Sequence, residues 1–328
     1  MKKIITIGGA TQDIFIHAQA DEIQREKKQD RTLLLIEEGS KIEVSQLHYA
    51  TGGGATNAAA SLTLLGHHVT PVCKIALDPA GLFVLNDLQQ RGINTDYLIT
   101  SSALPTGTSF VLPSPSGNRV ILAYRGANGT LQESDIPFDL FAKSDGLYVA
   151  PLSHDSSKLL PRLVERGRQH NLLVAVNPGK QQLCERTSEL KAALPHIDIF
   201  IVNEHEAQLL FATLQPDHNF TVEAYCALML QQGPTIVVVT CGARGVHVGV
   251  RENGVTKTIF QKALATKVVN TVGAGDAFGS CFFGMLLHGY RIEKALLCGV
   301  MNSASLLTGM DAKDKLLTRA ELERTCKN

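Results

Sequence analysis

The run Asn270-Thr271-Val272-Gly273-Ala274-Gly275-Asp276-Ala277-Phe278-Gly279 holds the residue types most able to do chemistry. Gly273, Ala274 and Gly275 are small and open a stretch with helical spacing, so backbone N–H groups of a first helical turn stand free to bind an anion, helped by the helix dipole. A carboxylate at Asp276, in that same turn, repels a phosphate unless it has work of its own. A general base facing a substrate hydroxyl would supply that work. Taken alone, the segment is explained equally well as an ordinary loop-to-helix junction in which Asp276 is a favourable first-turn charge.

The same glycines also read as a dinucleotide fingerprint, since Gly273, Gly275 and Gly279 form GxGxxxG. Against that reading, a polar run precedes the glycines, a second helix follows the first, and no acidic residue ends a following strand. GxxxxGK followed by Ser or Thr does not occur, and the protein-kinase motif set is missing too. Phosphate bound here is bound by another architecture.

These residues need elements to hold them. Ile4 to Ile7 reads as a strand stopped by Gly8-Gly9, the charged stretch from Ala20 to Arg31 as a solvated loop, and Leu33 to Ile36 as extended chain. Gly52-Gly53-Gly54 leads into a small-residue helix, Ala58 to Leu65, closed by Gly66. Thr108 to Leu112 and Arg119 to Tyr124 flank a Pro-Ser-Pro-Ser-Gly-Asn turn and predict a hairpin. From Gly146 the chain alternates: strands at Leu147 to Ala150, Leu172 to Val176, Ile197 to Val202 and Ile236 to Thr240, with helices at Ser156 to His170, near Leu183 to Leu194, and at Glu204 to Phe211. Helices at Ala274 to His288 and Ile292 to Leu307 close the series. Apolar strands alternating with amphipathic helices predict an α/β fold with a mostly parallel sheet covered on both faces. The early β-rich pieces pair in this reading as a small separate sheet, a lid over the edge of the main one.

Composition sets bounds. The 328 residues suffice for a buried core, and 31 basic against 31 acidic side chains argue against a nucleic-acid footprint. Apolar runs fall short of the roughly 18 residues that span a bilayer. Seven scattered cysteines, none in a CxxC, read as reduced core thiols. The histidines show no metal-ligand spacing with carboxylates. Met1-Lys2-Lys3 leads into a short strand and not into the apolar stretch of a signal peptide, so the expected compartment is the cytoplasm.

Two segments taken together, Gly52-Gly53-Gly54-Ala55-Thr56-Asn57-Ala58-Ala59-Ala60 and Asn270 to Asp276, resemble the N-terminal and C-terminal signatures of the PfkB family of carbohydrate kinases, the ribokinase-like enzymes. The resemblance implies a ribokinase-like three-layer sandwich over 1–328 as a single domain, with a β lid formed from about 14–50 and 106–128. It implies a kinase that moves the γ-phosphate of Mg-ATP to a hydroxymethyl of a small sugar. In that pattern Asp276 is the base, and the N–H groups of Gly273, Ala274 and Gly275 take the developing charge. Asp13, Gly53, Gly54 and Asn57 hold the sugar. Asn203 in Asn203-Glu204-His205-Glu206 reaches the nucleotide phosphates, and Glu206 organises Mg²⁺ through water. Thr240, Gly242 and Gly245 line the ATP phosphates and ribose, and Asn302 falls where relatives line the adenine pocket. Tyr124-Arg125-Gly126-Ala127-Asn128 resembles the G-A-N element of ribokinase-like sugar kinases.

Elementary chemistry agrees. A carboxylate just past a strand's carboxyl end suits vicinal hydroxyls, glycines admit close backbone approach, and Mg²⁺ needs few direct carboxylates. Each residue also has a plainer reading as a cap, a tight turn or a solvated helix start. Asn270 stands where most relatives have an Asp that helps bind an activating K⁺, which weakens the expectation of K⁺ dependence, and Asp311-Ala312 replaces the usual Gly-Ala. With 5% aromatics and no Trp, a sugar is favoured over a nucleoside, although Phe15, Tyr49, Phe110 and Tyr124 could sandwich a base. A catalytically silent sugar- or nucleotide-binding regulator on the same fold is a further reading. An exposed lid edge offers a pairing surface for a homodimer.

Overall fold

The computed structural model describes residues 1–18, 23–28, 31–114, 119–252 and 254–325. In chain order the first part holds β1 (Lys3–Ile7), β2 (Thr11–Ala18), β3 (Gln24–Lys28), β4 (Arg31–Leu35), β5 (Val44–Gly52), α1 (Gly54–Leu64), β6 (His68–Val72), β7 (Lys74–Ala76), α2 (Pro79–Gln90), β8 (Ile99–Ser101), β9 (Gly107–Pro113) and β10 (Arg119–Tyr124). The rest holds β11 (Gly146–Val149), α3 (Leu160–Gln169), β12 (Leu173–Val176), α4 (Lys180–Cys184), α5 (Thr187–Ala193), β13 (Ile199–Asn203), α6 (Glu204–Leu214), α7 (Val222–Gln232), β14 (Ile236–Thr240), β15 (Gly245–Glu252), β16 (Val255–Lys262), α8 (Ala274–Leu287), α9 (Ile292–Leu306) and α10 (Arg319–Thr325).

The central sheet runs β16-β15-β14-β13-β12-β11-β1-β6, parallel from β14 to β6 and antiparallel at the β14–β15 and β15–β16 pairs. Its inner strands are buried on both faces, which is why β11 reads Gly-Leu-Tyr-Val without polar alternation. One apolar core joins the sheet to α1, α8 and α9, with Phe278, Phe282 and Phe283 at its centre. A second core on the opposite face joins it to α3, α5, α6 and α7. The result is the expected three-layer sandwich with a mostly parallel central sheet.

A separate sheet runs β10-β9-β2-β5 and contains the expected hairpin, with Leu122 opposite Phe110. The centre of the hairpin's turn, 115–118, lies outside the described residues. Its inner face carries Asp13, Phe15, Ala50 and Val111, and Phe15, Ala50 and Val111 form a small apolar cluster with Val272.

Several local expectations need correction. Within the stretch read as a solvated loop, Gln24–Lys28 is a strand paired with Arg31–Leu35, because its charged side chains all point to solvent while the backbone ladder closes. Residues 20–22 and 29–30 of that stretch lie outside the described residues. The Ser156–His170 helix begins as a 3₁₀ turn over His154–Leu159 and turns α-helical at Leu160, with Pro161 in the first turn. The helix near Leu183–Leu194 is two, broken at Glu185 and Arg186. Cys184 is exposed, whereas Cys73, Cys226, Cys241, Cys281 and Cys298 are buried and outside any disulfide; Cys326 lies outside the described residues.

One contact ties the segments that end α1 and α8 together through histidine. The His67 and His288 rings stack with centroids 4.1 Å apart, His67 Nε2 donating to the Gly284 carbonyl at 3.1 Å. Burial, with the His288 ring beside it, pushes the His67 pKa from 6.5 down to about 4. The unfolded chain therefore binds this proton more readily than the fold does. The contribution is fully present above about 6.5 and is lost as the pH falls toward 4. His67→Phe, which keeps a stacked ring and removes the titration, should show a smaller fall in Tm than wild type between these pH values when both are melted across the window. Parallel curves would refute the assignment.

Candidate active site

The chain turns at Gly8-Gly9 from β1 into β2, and the loops after β11, β12, β13 and β14 leave the same edge of the central sheet, the carboxyl edge where open α/β sheets gather ligands. Asn128 braces that turn by bonding both the N–H (2.9 Å) and the carbonyl (2.8 Å) of Ala10. The loop before α8 reaches the same edge.

Gly273 is the N-cap of α8, at φ +78°, where a side chain is strained, and a Cβ on it would stand 2.5 Å from that of Ala312. With no side chain capping the helix, its first-turn N–H groups serve the cleft that Gly273, Ala274 and Gly275 line. Asp276 lines it too, from the third helical position. Its Oδ2 accepts a 2.9 Å hydrogen bond from Asn57 Nδ2 on α1. Burial pushes this carboxyl up, against the Asn57 hydrogen bond and the positive charge of Lys313. Because the carboxylate can only accept, the Asn57 amide must turn its donors toward Asp276, and that leaves Asn57 Oδ1 buried without a partner.

The glycines before α1 let backbone pack on backbone beside this pair. Gly53 sits at φ +95°, where a Cβ would lie 2.4 Å from the Gly9 carbonyl oxygen, and a Cβ on Gly52 would meet Asp13 Oδ2 at 2.0 Å. A Cβ on Gly54 would be 3.7 Å from Asp276 Oδ1. Asp13 itself lies within β2, in register with Ser109 and Ala50. It accepts from the Thr11 hydroxyl at 3.0 Å, and burial pushes its carboxyl up.

On the other side of Asp276, Asn203 and Glu206 close a reciprocal cap on α6: Glu206 N donates to Asn203 Oδ1 and Asn203 N to Glu206 Oε2, both at 2.9 Å. Burial pushes the Glu206 carboxyl up. Both residues share the cleft with Asp276, and so does Thr240. Beyond Thr240 the cleft passes into a mostly apolar cavity of about 520 Å³, within the range of small-molecule sites, bounded by Gly242, Gly245, Leu264, Val300 and Leu307.

The structure thus brings Asp13, Gly53, Gly54, Asn57, Asn203, Glu206, Thr240, Gly242, Gly245 and the Gly273–Asp276 turn to one continuous edge. Asn302 is the exception. It is fully buried, its amide donates to the Ala277 carbonyl at 2.9 Å and accepts from Leu317 N at 2.8 Å, and the residues of α9 and its end that line the cavity are Val300, Ser303, Ala304 and Leu307. Helical spacing places 302 and 303 about 100° apart, so one position separates the core from the cavity. The Asn270 amide is likewise engaged, donating to the Met310 carbonyl at 2.7 Å and accepting from Val272 N at 3.0 Å.

Three residues in or beside the cleft escaped the sequence reading. Asn177, after β12, lines the cleft and is held by its bond to the Ile201 carbonyl. Arg119, the first residue of β10, reaches across to hydrogen-bond the Thr271 hydroxyl and lines the cleft beside Asp276. Lys313 is the buried cation behind Asp13 and Asp276. A basic residue next to the hairpin turn was the available signal for Arg119.

Residues 19–318 match the family model described as pfkB family carbohydrate kinase. An uncharacterized sugar kinase of Archaeoglobus fulgidus is 28% identical over 259 residues, spanning 78% of this chain and 97% of that protein. The ribokinase of Haemophilus influenzae is 28% identical over 288 residues, 86% of this chain and 89% of its own. An Arabidopsis thaliana ribokinase solved in complex with ribose and ATP shares the fold at a TM-score of 0.81 and 21% identity, covering 100% of this chain and 99% of that one.

Proposed function

The chain belongs to the pfkB family of carbohydrate kinases, and we propose that it transfers the γ-phosphoryl group of Mg-ATP to a hydroxymethyl group of a small sugar, with Asp276 as the general base. The observation that carries this reading is the Asn57–Asp276 pair, a carboxylate at an uncapped helix N-terminus beside an amide oxygen that awaits a donor. A sugar hydroxyl supplies that donor. Its neighbouring hydroxymethyl gives its proton to Asp276 as the oxygen attacks the γ-phosphorus and the bond from that phosphorus to the β-phosphate bridging oxygen breaks, releasing ADP.

Charge gathers on the phosphoryl oxygens in this step, and the first-turn N–H groups of Gly273 to Gly275 donate hydrogen bonds to them. Arg119, at the same cleft, adds a fixed positive charge. Asn203 faces the nucleotide phosphates, while Thr240, Gly242 and Gly245 bound the cavity that takes ribose and base. Among the described residues no three His, Cys, Asp or Glu side chains cluster as a metal cage. Glu206 in an open polar cleft suits an ion that keeps its waters and leans on nucleotide phosphates. When bound, Mg²⁺ would neutralise charge shared by the β- and γ-phosphates.

In this reading the chain is one domain, and the small sheet is its lid, contributed by about 14–50 and 106–128, with Asp13 on its inner face. A sugar fits that face better than a nucleoside. Strand register sends Phe110, Tyr49 and Tyr124 to the face opposite Asp13, and Phe15 alone of the four candidate aromatics lies on its side. The outer face exposes Leu47, Tyr49, Phe110, Val120, Leu122 and Tyr124, each between 39% and 59%. An apolar surface of that extent fits a homodimer formed lid to lid.

A coupled ADP-release assay against pentoses, hexoses and nucleosides tests the reaction: turnover with a sugar is expected, and turnover with nucleosides alone would overturn the acceptor assignment. Asp276→Asn should lower kcat by about 10² to 10⁴-fold with ATP binding retained. Retention of most of kcat would remove Asp276 from the base role. Asp13→Ala should raise the acceptor KM far more than the ATP KM. Leu122→Glu should convert a dimer to a monomer by light scattering, and a monomeric wild type at all concentrations would refute the lid interface.

A further inference from the structure

Lys313 lies in the segment after α9, and its side chain is 1% exposed. Its ammonium donates to Thr51 Oγ1 at 2.6 Å, to the Thr51 carbonyl and to Thr56 Oγ1, both at 3.2 Å, and pairs with Asp87 Oδ2 at 3.3 Å. Three N–H bonds thus serve four oxygens drawn from β5, α1 and α2. Each hydroxyl passes the constraint on. Thr51 Oγ1 donates to Asp87 Oδ2 at 2.6 Å, and Thr56 Oγ1 donates to the Gly52 carbonyl at 2.7 Å. The ends of the Gly52–Gly54 turn, and the start of the helix that carries Asn57, hang on one cation.

The segment around it is tied in the same sense. Asp311 Oδ1 accepts from Lys313 N at 2.8 Å while its Oδ2 stands 3.6 Å from His48 Nε2 on β5, and Ala312 packs against Gly273 at the head of α8. Burying an ammonium is costly, and an apolar side chain of similar volume often serves stability as well or better. What an apolar side chain cannot supply is direction. We propose that Lys313 is a positioning residue for the sugar acceptor: its hydrogen bonds to Thr51 and Thr56 fix the Gly52–Asn57 turn, and through it the backbone and amide groups that meet the acceptor. The proposal rests on the kinase reading above and concerns the acceptor end of that site alone.

Lys313→Met keeps the volume and removes the donors, so the variant should fold while its acceptor KM rises about 10-fold or more, the scale of lost hydrogen bonds to a charged group, with the ATP KM within about twofold. In Lys313→Ala, added 1-propylammonium should lower the acceptor KM again and neutral 1-propanol should not, a distinction that a merely space-filling role would not show. If Lys313→Met does not fold, Thr56→Val breaks the relay to the Gly52 carbonyl while keeping the branched shape, and the same split is expected. An unchanged acceptor KM in the folded variant, an equal rise in both KM values, or rescue by propanol as strong as by the cation would overturn the role of Lys313. A wild-type protein that phosphorylates no acceptor would instead refute the kinase reading.

Discussion

A carboxylate stands where a helix gathers negative charge, and the rest of the structure is arranged around keeping it there. Asp276 lies in the first turn of α8, at the end that attracts anions, and its carboxyl is pushed up by burial. Such a group is tolerated only with partners. Asn57 donates to it, and the positive charge of Lys313 favours its ionised form. That balance fits a base which must be ionised before the reaction and hold a proton after it.

The partners come from far apart in the chain. Asn57 and Asp276 are 219 residues apart, and Lys313 and Thr51 are 262 apart. The parallel sheet makes this possible by delivering successive loops to one edge, while α1 and α8 pack together on one face through small residues such as Ala55, Ala58 and Ala59. The glycines at 52, 53 and 273 are then a packing requirement, because a side chain at any of them would collide with Asp13, Gly9 or Ala312. The small separate sheet brings Asp13 to the same edge.

What could be read directly was what is contiguous. The Gly273–Asp276 turn and the Gly52–Asn57 turn each declare a tight backbone, a helix start and a polar group within a few residues. The alternation after Gly146 likewise declares a covered parallel sheet. Contacts made across the fold leave no such local trace. Arg119, Asn177 and Lys313 matter through neighbours that only tertiary structure supplies, and Asn302, expected at the adenine pocket from the family resemblance, faces the core, where the Ala277 carbonyl and Leu317 N hold its amide. Charge in Gln24–Lys28 concealed a strand whose side chains are all solvated, since exposure and extended pairing are compatible in an edge ribbon.

The measurement closest to the central claim is the proton-coupled ³¹P spectrum of the product formed from Mg-ATP and a sugar that supports ADP release. Transfer to a hydroxymethyl, with Asp276 taking its proton, predicts a phosphomonoester resonance split into a triplet by the two methylene protons, growing about 10² to 10⁴-fold more slowly with Asp276→Asn. Inorganic phosphate as the product, or a phosphoester formed equally well by Asp276→Asn, would contradict the account.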